Sequence, residues 1–193
     1  IDDADDRVTF ADPDQMELLE QLDAAGALRG VQQIVVLDHA VPQTSLPNVV
    51  AYEDLIAGHP DTHEPVPINE YLPFGMCYTS GTTGKPKGVV YTHRSVFLHS
   101  TAVTSTAGVG VGPGECVLPV VPMFHAMAWG IPHGALASGA KLVFAAGPLD
   151  TDALVELFEQ EHVTISAGVP TVWFAVCESM TRRGLRPKSL KHV

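Results

Sequence analysis

Positive charge is scarce in this chain. Eleven Lys and Arg face 22 Asp and Glu, for a net charge of −11. An acidic surface repels nucleic acid and anionic membranes unless a local basic patch intervenes. The basic clusters are Lys85 with Lys87, and Arg182 to Lys191, so a nucleic-acid partner is excluded. Long apolar runs are missing too. No segment reaches the roughly 20 residues that cross a bilayer. Cysteine is rare and odd in number. Cys77, Cys116 and Cys177 sit in apolar runs, without disulfide or metal-ligand spacing, and read as buried thiols of a reducing cytoplasm. No signal-peptide pattern opens the chain, which begins Ile1-Asp2-Asp3 and lacks an initiator Met. It ends on Leu190-Lys191-His192-Val193, which reads as a strand just starting. The expectation is a piece of a longer protein.

What is present is a globular chain of 193 residues, 46% hydrophobic, enough for one substantial core. Its organising stretch is Thr79-Ser80-Gly81-Thr82-Thr83-Gly84-Lys85-Pro86-Lys87-Gly88. The glycines permit conformations that a β-carbon forbids and bring main-chain N–H groups close to a ligand. Hydroxyls and two ammonium groups add donors, and no carboxylate interrupts them. Such a loop suits a polyphosphate. The flanking runs Phe74–Tyr78 and Val89–Tyr91 read as strands, so the loop joins two strands. A Walker A loop needs four residues between its glycines and a helix after its lysine. Here two residues separate Gly81 from Gly84, and Pro86 removes an N–H. A flexible Ser/Thr/Gly linker is the plain alternative, but linkers seldom carry strands at both ends.

Elsewhere the pattern alternates. Asp12-Pro13-x-Gln15 reads as a capped helix start, with Met16, Leu19 and Leu22 at helical spacing and Gly26 as its stop. Val31–Leu37 reads as a strand. Thr44–Glu70 reads as a connecting surface segment with a short helix at Tyr52–Ala57. Thr92 can cap a helix bearing Val96, Phe97 and Val103. Cys116–Val121, Ala140–Ala145 and Val163–Ala167 read as strands. Phe124–Ala137 reads as a buried helix despite Pro132. Asp150 caps another helix, with Leu149 and Leu154 as a hydrophobic staple, and Pro170–Arg183 forms the last. Strand–helix alternation implies an α/β fold, a layered, parallel-paired sheet with helices on its faces.

Tyr78 to Gly88 resembles the phosphate loop of the adenylate-forming (AMP-binding) superfamily, Tyr-Thr-Ser-Gly-Thr-Thr-Gly-x-Pro-Lys-Gly. Two further segments match in the family's order: Pro122-Met123-Phe124-His125-Ala126-Met127-Ala128-Trp129, and Gly168-Val169-Pro170-Thr171. The Phe-His-x-x-x-Trp form is most similar to bacterial medium- and long-chain fatty acyl-CoA synthetases. The match runs from about Tyr71 to the end and is weaker over residues 1–70. The resemblance implies part of a large N-terminal domain, with the C-terminal domain and several later motifs outside these residues.

It also implies a reaction: a fatty acid and Mg-ATP give an acyl-adenylate, whose acyl group passes to CoA. Its residues follow by position in the motifs. Thr79, Ser80, Gly81, Thr82, Thr83, Gly84 and Lys87 would hold the phosphates, with Thr79 on Mg2+. His125 and Ala126 would sit beside the nucleotide. His125 would orient the carboxylate, with Lys87 the other catalytic group. His125, Trp129, Gly168, Val169 and Pro170 would line the acid site. Without the resemblance, His125 reads as a satisfied core histidine and Trp129 as core packing. Their four-residue spacing would place both on one helical face. His93, His99 and His133 read as structural.

From Cys116 to Leu149 there is no Asp or Glu. An amino-acid substrate would bury an ammonium without a partner there, at high cost. An uncharged, apolar tail is the consistent substrate. Rival readings are a non-catalytic fragment that binds nucleotide or a partner, and an adenylation domain for an aryl or amino acid. By itself the chain is expected to be inactive. A homodimer is compatible with the reading.

Overall fold

A computed structural model describes residues 1–80, 84–145 and 150–193. The chain forms two compact units, Ile1–Val66 and Pro67–Val193.

The first unit is a three-stranded parallel sheet in the order β1-β2-β3, with strands Val8–Ala11 (β1), Gln33–Val36 (β2) and Val49–Ala51 (β3). A helix, Met16–Ala24 (α1), crosses between β1 and β2, and a short one, Tyr52–Ile56 (α2), follows β3. Met16 and Leu19 lie buried with Ile34 and Val36, as the helical spacing requires. Gly26, at φ +74°, ends the α1 segment in the left-handed region that favours glycine. The start of α1 differs from expectation. Pro13–Gln15 forms a 3-10 turn, Asp12 makes no side-chain cap, and Gln15 donates to Asp14 instead (3.1 Å). Strand β3 lies inside the segment that reads as connecting surface. At three residues it is too short to show a period.

The second unit opens with an antiparallel hairpin of Pro73–Thr79 (β4) and Lys87–Thr92 (β5). The helix His93–Thr104 (α3) follows at once. Thr92 caps it in a reciprocal box: its hydroxyl accepts from the Ser95 N–H (3.1 Å), and Ser95 Oγ accepts from the Thr92 N–H (3.0 Å). Thr92→Ala should cost about 1 kcal/mol, read as a lower denaturation midpoint at unchanged slope. A midpoint equal to wild type would mean that water replaces the cap.

Next come Cys116–Pro119 (β6), the helical turn Ala126–Trp129 (α4), and Ile131–Ser138 (α5). Lys141–Leu142 (β7), Thr151–Gln160 (α6), Ile165–Ala167 (β8) and Pro170–Arg183 (α7) complete the unit. The three strands pair in parallel in the order β7-β6-β8. Alternate residues face opposite layers. Val117, Ile165 and Ala167 pack with Val103, Ile131 and Ala135 of α3 and α5. Cys116 and Leu118 pack with Leu154, Phe158 and Val176 of α6 and α7. The α/β layering is thus as the alternation implies.

The buried hydroxyls of β8 and its approach are satisfied by the neighbouring strand. Ser166 donates to the Leu118 carbonyl (2.6 Å), and Thr164 Oγ1 accepts from the Cys116 N–H (2.9 Å). At the C-terminal end His192 bridges in parallel to Ile165. Asp150 caps α6 through the Ala153 N–H (2.7 Å). Leu149, its staple partner, lies outside the described residues. Across α6 and α7, the Ser179 hydroxyl and the Arg182 guanidinium both reach the Asp152 carboxylate. The Ser179 hydrogen bond, helped by the charges of Arg182 and Arg183, holds that carboxyl below its ordinary range.

Candidate functional site

The hairpin is the framework. Directly opposed residues of antiparallel strands project to one face, with Cβ atoms about 4.5–5.5 Å apart. The register pairs Thr79 with Lys87 and Tyr78 with Gly88. The Thr79 hydroxyl and the Lys87 ammonium therefore leave the sheet side by side at its loop end. Both are exposed, as are Ser80, Gly84 and Lys85. Gly84 has φ +86°, a turn geometry that a side chain would strain. Gly81, Thr82 and Thr83 lie outside the described residues. The described end of the hairpin thus offers hydroxyl and ammonium donors and no carboxylate.

The other side of the site departs from the expected single helix. His125 is extended (φ −102°, ψ 105°). Ala126, Met127, Ala128, Trp129 and Gly130 then all have positive φ, between 46° and 66°. The segment is a left-handed turn, and the right-handed helix begins only at Ile131, with Pro132 in its first turn. A left-handed backbone costs about 1–2 kcal/mol per residue with a β-carbon. Such a turn persists only where its surroundings hold it. Ala128 is fully buried among Val121, Ile131 and Ala135. The Gly130 N–H donates to the Met127 carbonyl and the Ala128 N–H to that of His125 (3.0 and 3.1 Å). From α3, His99 Nε2 donates to the Trp129 carbonyl (2.8 Å).

Because His125 lies outside the turn, its spacing from Trp129 does not place the two on one right-handed helical face. They part in another way. Trp129 lines a cavity of about 540 Å³, with Ala126, Met127, Gly130 and His133 on one side and Tyr91, Ser95, Val96 and His99 on the other. Phe124, on the far side of His125, lines a second cavity of about 490 Å³ with Met123 and the β4 residues Gly75, Met76, Cys77 and Tyr78. Met127 lines both. Its methyl reaches so close to Gly75 that a β-carbon there would stand 2.7 Å away. The fold therefore brings the β4–β5 hairpin and the Phe124–Trp129 segment to shared walls. Neither cavity has an Asp or Glu in its lining. His125 itself is exposed and lines neither.

Gly168, Val169 and Pro170 stand elsewhere in the layer. Val169 is the extended residue before α7 and Pro170 its first residue. The Gly168 carbonyl accepts from Trp173 Nε1 (2.9 Å), and a β-carbon on Gly168 would meet that indole at 3.1 Å. None of the three lines either cavity. The reading from sequence missed the α3 wall. Ser95 and His99 are four apart, a spacing that could have marked one face of that helix. His133, which reads as structural, lines the same cavity; its ring packs edge-on to Phe74 (5.3 Å between centroids), and its Nδ1 is buried without a hydrogen-bond partner. Among the described residues no group of His, Cys, Asp or Glu could by itself hold a metal ion. No helix among them is long and apolar enough to cross a membrane.

Comparison with known proteins gives concordant results. The family model described as "AMP-binding enzyme" matches residues 1–193. The chain is 44% identical over 190 residues to a long-chain-fatty-acid–CoA ligase of Thermus thermophilus, covering 98% of this chain and 34% of that protein. It is 37% identical to a medium-chain-fatty-acid–CoA ligase of Ectopseudomonas oleovorans, covering 100% of this chain and 35% of that one. The chain thus spans about a third of the length of these relatives. Among solved structures, an anthranilate CoA ligase (AuaEII) in complex with anthranoyl-AMP superposes with a TM-score of 0.82 at 22% identity. The superposition covers 97% of this chain and 35% of that one.

Proposed function

This chain belongs to the family of AMP-binding enzymes, and on that premise we propose that a protein carrying it activates a medium- or long-chain fatty acid with ATP and transfers the acyl group to CoA. The observation that carries the reading is the pairing of Thr79 with Lys87 on a hairpin whose other residues line two cavities without carboxylates. In this reading the chain is part of the large N-terminal domain. The named activities of its relatives, ligases of long- and medium-chain acids, point the same way.

The reaction joins a carboxylate oxygen to the α-phosphorus of ATP and releases pyrophosphate. The carboxylate is already ionised at neutral pH, so no base is required. The barrier lies in bringing an anion to a polyanion, and fixed positive charge and hydrogen-bond donors lower it. Lys87 would neutralise phosphate oxygens. The Thr79 and Ser80 hydroxyls would orient them, together with the Gly81–Gly84 segment of the motif. His125, exposed and in sequence between Phe124 and Ala126, would orient the carboxylate, with Ala126 beside the nucleotide. Mg2+ would supply further charge on the phosphates. Thr79 offers it one oxygen, so water and phosphate would provide the rest, the usual arrangement for this ion. CoA enters as the acyl acceptor, and no residue of this chain is assigned to it. The acyl tail would lie against Met123, Phe124, Met127 and Trp129. Gly168, Val169 and Pro170 remain a proposed wall on the strength of the motif alone.

Fatty-acid-dependent pyrophosphate exchange by the full-length protein tests this, with aryl and amino acids in the same panel. Exchange with an amino or aryl acid alone would assign it to another acid. No exchange with any acid would leave a non-catalytic binding role.

Trp129 gives a prediction about selectivity. Its side chain is 39% exposed and lines the larger cavity. Trp129→Ala should widen that cavity and shift relative kcat/KM toward longer or bulkier chains by several-fold. A profile across chain lengths is the measurement. An unchanged profile with lowered stability alone would make Trp129 a packing residue.

A further inference from the structure

We propose that His99 is a positioning residue for the acid site, holding the left-handed turn 126–130 that carries Trp129 and abuts His125. The inference rests on the function proposed above for its catalytic consequences. Its structural content stands apart from that function.

The geometry has two parts. First, His99 Nε2 lies 2.8 Å from the Trp129 carbonyl. A carbonyl only accepts, so Nε2 carries the proton and the ring is fixed in one tautomer. Second, the same ring closes on the last residue of the turn. A β-carbon on Gly130 would stand 2.3 Å from His99 Cδ2 and 2.8 Å from Nε2. The imidazole thus occupies the space that a side chain would fill at a position already requiring positive φ. One side chain contacts the turn both by a hydrogen bond and by packing, from an element that does not share its backbone.

The turn needs such a hold. Four residues with β-carbons are left-handed in succession, and the intrinsic preference of each is to leave that region. Ala128 anchors the buried side of the turn in the core. The other side faces the cavity, and there His99 makes the contact. Helix α3 is a rigid support for it. Its N-terminal box is closed, and Ser100, the next residue, is buried with its hydroxyl on the Val96 carbonyl (2.8 Å). If the hold is released, Trp129 loses its fixed place in the cavity wall and His125 its fixed approach to the reacting carboxylate. Positioning groups matter because small displacements of reacting atoms lower rates sharply. With Nε2 donating, the ring supplies a fixed donor to the Trp129 carbonyl. His99 therefore acts by geometry, without a proton transfer of its own.

The test compares His99→Ala, His99→Leu and His99→Gln in the full-length protein. Glutamine keeps an N–H donor at similar reach; alanine and leucine do not, and leucine keeps most of the volume. Hydrogen exchange of the amides at 126–131 needs no catalysis. It should quicken at least tenfold in the alanine and leucine variants and recover most of the way in the glutamine variant. Steady-state kinetics should show kcat/KM for the fatty acid lowered about tenfold in the first two, an altered chain-length profile, and KM for ATP within twofold. Exchange protection equal to wild type in His99→Leu, or a glutamine variant as impaired as the leucine one, would overturn the assignment. If His99→Ala does not fold, the leucine and glutamine pair decides. A protein that activates no acid but shows the exchange pattern would remove the proposed function and leave the hold on the turn established.

Discussion

Lys87→Ala in the full-length protein is expected to lower turnover by about 100- to 1000-fold, the loss typical of removing one charged or hydrogen-bonding group from a transition state. The structure makes this a clean substitution. Lys87 is the first residue of β5, exposed, and paired to Thr79 through the backbone, which an alanine leaves intact. Stability should therefore be unchanged, and the loss should fall on kcat much more than on KM for the fatty acid. That split distinguishes stabilisation of developing charge on phosphate from simple acid binding. Turnover within twofold of wild type would remove Lys87 from the phosphate site. Equal losses in kcat and in thermal stability would mean that the hairpin itself had been disturbed.

The second large effect is expected at Gly130. Its φ of +66° disfavours any β-carbon, at about 1–2 kcal/mol. A methyl would also stand 2.3 Å from the His99 ring. The ring must then leave, and its hydrogen bond to the Trp129 carbonyl, worth about 1 kcal/mol, goes with it. Gly130→Ala should thus cost roughly 2–3 kcal/mol by these two contributions. That is a large share of a typical domain's 5–15 kcal/mol. Gly139 supplies the control. It has φ +72°, but nothing lies within 4 Å of where its β-carbon would be. Gly139→Ala should incur the backbone cost alone. Equal destabilisation by the two substitutions, read from denaturation midpoints, would show that the His99 contact contributes nothing.

Sequence reasoning reached furthest where local chemistry alone decides. The strands around the phosphate loop, the Thr92 and Asp150 caps and the bounds of α7 all follow from turn residues, capping side chains and a proline at a first helical position. Parallel pairing of β7, β6 and β8 follows from the strand–helix alternation. The Phe124–Ala137 segment shows the limit. Its apolar content correctly implies burial of residues such as Ala128, Ile131 and Ala135. Composition carries no information about handedness, and positive φ at Ala126, Met127 and Trp129 is imposed by tertiary contacts. Gly130 and Pro132, two residues apart, were the available sign that one helix could not run through. The strand expected over Ala140–Ala145 contracts to Lys141–Leu142, paired with Cys116 and Val117, with the Val143 N–H still reaching the Val117 carbonyl (2.9 Å). Of the site, the two strands flanking the loop were legible from their aromatic and β-branched runs, whereas the pairing of Thr79 with Lys87 was not. The α3 wall was not, since His99 acquires its role from a carbonyl 30 residues away.

The strand order β7-β6-β8 has a consequence for how the chain is made. The central strand, β6, is synthesised first. Ser166, which closes a hydrogen bond on Leu118, lies 48 residues later in the chain. At about 5–20 residues per second, a ribosome takes several seconds to deliver it. Lys141–Leu142 itself emerges about half-way through that interval; until then the run Cys116–Val121 has neither sheet neighbour, and afterwards only β7 on one edge. Such an edge is a site for wrong pairing and for chaperone capture. Early folding of the α3–α5 layer would shield one face of the strand. The opposite face waits for α6 and α7, so the second half of the core is the interval in which a nascent chain is most exposed to aggregation.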